Sequence, residues 1–142
     1  MNTDNKTIVH HFIEEIWNQN QFTKIDTYIH TDFIDHSLPP LLPTTKEGLI
    51  RWITITGESF NHKTILEEIV GESNKVIIKI KMYLTHIGKW RDIEPTGAEV
   101  YAIGYRCFKL TDNKIIEHWA LIDGNAIENQ LKEASHGCKI QE

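Results

Sequence analysis

The chain has 142 residues, 40% of them hydrophobic and 25% charged, with 20 acidic against 15 basic side chains and a net charge of -5. That length fits a single domain, residues 1–142, with a sizeable core, and the composition is that of an ordinary globular protein. The acidic balance argues against nucleic acid or an anionic membrane surface as partners, because both need a basic face.

No apolar run reaches membrane-spanning length, and MNTDNKTIVHHF lacks the basic and apolar regions of a secretory signal, so a cytoplasmic location is expected. Cys107, in a strand-like run, and Cys138, in a polar tail from about residue 135, read as thiols rather than a disulfide framework.

In chain order, Thr3 or Asp4 is placed to cap a first helix. Ile8, Phe12 and Ile16 recur at four-residue spacing in it, with Val9, Ile13 and Trp17 in the adjacent row, until the polar Asn18-Gln19-Asn20. A short helix over 22–29 leads to an extended segment, 33–36, and then to a proline-rich loop, 38–43. Thr44 or Thr45 can cap a third helix with Leu49, Trp52 and Ile53 on one side.

From there the period changes. Residues 64–70, 75–86, 98–110 and 115–123 read as strands, with Thr111-Asp112-Asn113-Lys114 as the hairpin turn between the last two. A closing helix over 126–133 carries Ile127 and Leu131. Helices first and an antiparallel sheet afterwards predict an α+β fold.

Alternation in the strand 75–86 puts Val76, Ile78, Ile80, Met82, Leu84 and His86 on the buried face. In 115–123 the odd positions, Glu117, Trp119 and Asp123 among them, oppose His118, Ala120 and Ile122; both faces are apolar, so periodicity does not choose between them. Arg106 has the same ambiguity.

Sequence motifs of phosphate-binding loops, nucleophile elbows and zinc-binding helices are absent. His10 and His11, about 100° apart on a helix, read as a surface pair, and no metal ligand set is expected. What stands out is a group of polar side chains set in apolar strands: His36, His86, Arg106, Glu117, His118 and Asp123. Singly, each has a plain alternative: a hydrogen-bonded core histidine, a buried Arg106–Glu117 ion pair, or a helix cap at Asp123. Together they suit one small-molecule pocket, with tryptophans and Met82 as apolar walls. A carboxylate there, with His86 or His118 beside it, can move a proton near neutral pH, and Arg106 can hold an anion, without a cofactor.

The ordered series FIDHS (33–37), THIGKW (85–90), EPTG (94–97), YRCFKLTDNKI (105–115) and KIIEHWALID with NAIENQL (114–131) resembles the SnoaL-like polyketide cyclases, also called predicted ester cyclases. The resemblance implies a nuclear-transport-factor-2-like fold: a cone of curved antiparallel or mixed sheet wrapped around N-terminal helices, with a deep apolar pocket, dimerising through the sheet. It implies Asp123 as general acid/base of an aldol-type cyclisation or isomerisation on an apolar carbonyl compound. His86 and His118 would assist, and His36, Arg106, Glu117, Trp119, Met82 and Trp90 would line the pocket. Two other readings stand beside it: a small-ligand-binding or sensor domain, and a hydrolase or dehydratase using the same pocket.

Overall fold

The structure, a computed structural model, describes residues 4–140, with side chains through Ser135. Thr3 and the Cys138 side chain lie outside the described set, and Cys107 is a free thiol. Asp4 caps α1, Asn5–Phe12, its carboxylate accepting from the Lys6 amide at 3.2 Å. The helix widens into a π-helical turn, Ile13–Asn18, so that both predicted apolar rows, Ile8 to Trp17, are buried. Asn18 then ends it by gripping Thr64, accepting from the amide at 2.8 Å and donating to the carbonyl at 2.9 Å. A 3-10 turn, Phe22–Thr27, leads to β1, Ile29–Asp35, and the proline loop to α2, Lys46–Ser59.

Four long strands follow: β2 Phe60–Glu72, β3 Lys75–His86, β4 Glu99–Thr111 and β5 Lys114–Ile122. The sheet order is β1-β5-β4-β3-β2, with β1 parallel to β5 and every other pair antiparallel. Asp112 and Asn113 both adopt left-handed backbone, φ 52° and 62°, the turn that matches strand twist in a two-residue hairpin. The closing helix α3, Gly124–Ile140, is longer than expected and takes in most of the predicted polar tail.

The expected alternation holds along β3, where Val76, Ile78, Ile80, Met82, Leu84 and His86 are all buried. In β5 the assignment reverses. Ile115 faces Leu110 and Glu117 faces Lys109, so Ile116 is an extra residue and the parity resets there. Ile115 and His118 are therefore buried, while Trp119 and Leu121 point outward, 36% and 77% exposed. Arg106, with Ile78 and Ala120 beside it in the ladder, lies on the inner face.

Candidate active site

Two cavities meet inside the cone. One, of about 350 Å³, is lined mainly by apolar side chains, Trp52, Phe60, Met82, Trp90 and Ile127 among them. The other, of about 270 Å³, is lined by Asp35, Ser37, Leu38, His118 and Ala120. Trp17, Trp52, Arg106 and Ile122 border both, so Arg106 stands at the junction of an apolar and a polar chamber. Gly104 makes room there: a Cβ on it would stand 2.4 Å from Ile122 Cδ1.

The polar chamber holds a chain of three buried groups. Asp35 is the last residue of β1, directed inward by the parity it shares with the buried Phe33. His118 is its register partner on β5, and His118 Nδ1 lies 2.9 Å from Asp35 Oδ2. On the far side, Arg106 Nη1 lies 3.3 Å from His118 Nε2. A guanidinium only donates, so Nε2 carries the lone pair and Nδ1–H donates to Asp35. Ser37 supplies two further donors to Asp35 Oδ1, its amide at 2.9 Å and its hydroxyl at 2.7 Å.

The charges follow from this. Burial pushes the Asp35 carboxyl up, but the hydrogen bonds from His118 and Ser37 outweigh it and hold the carboxyl below its ordinary value. Burial and the Arg106 cation push His118 down against the pull of Asp35, so its imidazole is neutral at pH 7. Burial brings Arg106 down to about 10, so it stays charged. Its Cζ lies 4.3 Å over the Trp17 ring. Among the described residues it makes no ion pair, and its Nε is buried without a partner.

Met82 and Trp90 line the apolar chamber, and Arg106 and His118 reach the polar one. The other expected residues lie elsewhere. Asp123 is exposed and accepts from the Ala126 amide at 3.0 Å, capping α3, so it does not meet His86 across a cavity. His86 is fully buried but lines neither chamber; its Nδ1 binds the Thr96 amide and hydroxyl at 3.1 and 3.0 Å and anchors the connection after β3. His36, Glu117 and Trp119 form an outer-face cluster, His36 Nε2 lying 2.9 Å from Glu117 and stacked 4.8 Å from Trp119. Glu117 is thus neighbour to Lys109 and His36, not to Arg106.

Asp35 and its hydrogen-bond donor Ser37 are site residues that were not expected from the sequence. The family profile of the SnoaL-like polyketide cyclases matches residues 7–131. The chain belongs to this family. Its fold matches solved members of the group: IdmH of Streptomyces antibioticus, described as a candidate polyketide cyclase, superposes with a TM-score of 0.83 at 20% identity, over 92% of this chain and 99% of that one. A candidate polyketide cyclase of Acidithiobacillus ferrooxidans gives 0.82 at 18% identity, over 93% and 96%. AclR of Streptomyces galilaeus, described as a candidate hydroxylase, gives 0.77 at 19%, over 91% and 96%. At these identities the likeness carries the nuclear-transport-factor-2-like fold alone. A comparison with curated proteins returns no match.

Proposed function

We propose that this SnoaL-like protein is an acid/base enzyme acting on a largely apolar carbonyl compound, with His118 as the proton carrier. The observation that carries the reading is the Asp35–His118–Arg106 chain, buried in the polar chamber with Arg106 at its junction with the apolar one. The apolar body of a substrate fits the larger chamber, and its carbonyl oxygen reaches Arg106, which turns to it from His118. That turn frees the Nε2 lone pair to take a proton from the carbon next to the carbonyl. The enolate oxygen carries the resulting negative charge beside Arg106, and Asp35 balances the imidazolium. The enolate carbon then attacks a second carbonyl carbon, as in an aldol closure, and His118 returns its proton to the alkoxide oxygen. In an isomerisation the proton returns to another carbon instead. Each cycle leaves both charges of the site as they began.

The test is turnover of a panel of apolar ketones and 1,3-dicarbonyl compounds by the wild type and His118→Gln. Turnover lost in the variant, with binding retained, supports the enzyme. Binding by the wild type without turnover of any member would favour a ligand-binding domain.

We also propose that two copies pair through the outer sheet face. Tyr83, Tyr101, Ile103, Tyr105, Trp119 and Leu121 all project from it, each at least 36% exposed, and a grouped set of exposed apolar side chains is the usual mark of an interaction surface.

A further inference from the structure

The connection between β3 and β4 crosses the apolar chamber as a strap. Its roots are fixed. His86 exchanges backbone bonds with Ala98 and Gly97 at 2.9 and 3.0 Å. The Ser59 carbonyl, at the end of α2, accepts from the Ile87 and Gly88 amides at 2.9 and 3.0 Å, and the Ser59 hydroxyl donates to the Lys89 carbonyl at 3.0 Å. Gly88 has to be glycine for this, since a Cβ there would stand 2.1 Å from the Glu58 carbonyl oxygen.

The tip is a two-residue hairpin closed by reciprocal Trp90–Ile93 backbone bonds of 3.0 and 2.9 Å. Arg91 and Asp92 both adopt left-handed backbone there, φ 48° and 62°, a region that aspartate enters more readily than arginine. The turn directs Trp90 into the chamber against Phe60, ring centroids 5.5 Å apart. Arg91 lies over Trp90 with Cζ 4.6 Å from the ring, and Nη1 reaches α3, donating to Asn125 Oδ1 at 3.0 Å and Glu128 Oε1 at 3.3 Å. Trp90, Arg91, Gly124 and Ile127 thus form one stretch of chamber wall, half from the strap and half from α3.

The strap is therefore held by backbone bonds at its roots and, at its tip, by an exposed cation on an acidic side chain. An exposed pair of this kind is weak and screened by salt. We propose that the seam between Trp90-Arg91 and the start of α3 is the port through which ligands reach the apolar chamber, and that Arg91 is its latch. The latch sets how fast ligands pass and how large they can be, while the chamber behind it sets how tightly they bind. The inference rests on the reading that the apolar chamber takes a ligand, but it needs no chemistry at His118.

The test is stopped-flow binding of a neutral fluorescent probe, N-phenyl-1-naphthylamine, to the wild type, Arg91→Ala and Gly124→Ala. Alanine at 124 would place a Cβ 2.5 Å from Arg91 Nη2 and displace the latch while keeping its charge. Both latch variants are expected to raise the association and dissociation rates together by roughly threefold to fivefold, the scale of an exposed ion pair. Added salt should speed the wild type and leave Arg91→Ala unchanged. Wild-type rates that ignore salt and match both latch variants would overturn the port and leave the site chemistry standing. A wild type that takes up no probe would overturn the port together with the ligand chamber.

Discussion

His118 Nδ1 lies 2.9 Å from Asp35 Oδ2, a contact that spans 83 positions in sequence and joins β5 to the end of the one strand that runs parallel to it. The bond selects the imidazole tautomer and gives the buried Arg106 its balancing charge. Asp35→Asn keeps the shape and removes that charge. Losing the charged acceptor of a buried hydrogen bond costs about 2 kcal/mol, so the unfolding free energy from urea titration is expected to fall by that amount with an unchanged slope. An unaltered midpoint would mean that Asp35 does not carry the charge balance of the site.

Stability should fall on the acid side in two stages. His118 and His62 are both pushed below the ordinary histidine value, chiefly by burial and further by Arg106. The unfolded chain therefore binds more protons as the pH drops below about 6.5. Their contribution is complete above that value and is lost as the pH falls through their lowered folded values. Asp35, also lowered, adds a second loss below about 4. Urea titrations between pH 7.5 and 3.5 check this, and a rise in stability from pH 7.5 to 5 would contradict it. Proton transfer by His118 should hold its rate through neutral pH and decline only below about 6.5, where the imidazole begins to charge.

Much of the frame was legible because local rules agree with the fold. The two helical rows up to Trp17, the alternation in β3 and the Asp112-Asn113 turn each follow from spacing or turn chemistry. In β5 both faces are apolar and the extra residue Ile116 resets the parity, so the resemblance assigned the inner face to Asp123 when it belongs to His118. Asp35 had a usable signal: it shares parity with the buried Phe33 two residues before it, which turns His36 outward. The strap was not read as structure at all, since its hairpin rests on two left-handed residues without glycine and on bonds to α2 and α3.

Arg106→Met should raise the His118 pKa. Burial is the larger cause of the lowered value, and it remains; the Arg106 charge is the part removed, with Asp35 still pulling upward. Nitrogen-15 NMR of the histidine rings checks the direction. A His118 that titrates at the same or a lower pH in the variant would show that Arg106 does not act on it.

Tyr105→Asp, in the middle of the outer face, should turn a pair of copies into single chains while leaving the fold intact. Tyr105 is 50% exposed in the single chain and pairs with Lys79 and Leu121 across the sheet. Light scattering across a concentration series gives the mass. A wild type that has the mass of one chain at all concentrations would remove the proposed pairing.

His118, inside the cone, is the proposed proton carrier, and Asp123, at the cap of α3, is not. Proton NMR of solvent deuterium exchange at the carbon beside the carbonyl of an apolar ketone measures that step without knowledge of the natural substrate. Exchange is expected for the wild type, with a loss of roughly a hundredfold or more in His118→Gln and near-normal exchange in Asp123→Ala. Exchange that persists in His118→Gln and disappears in Asp123→Ala would contradict that assignment.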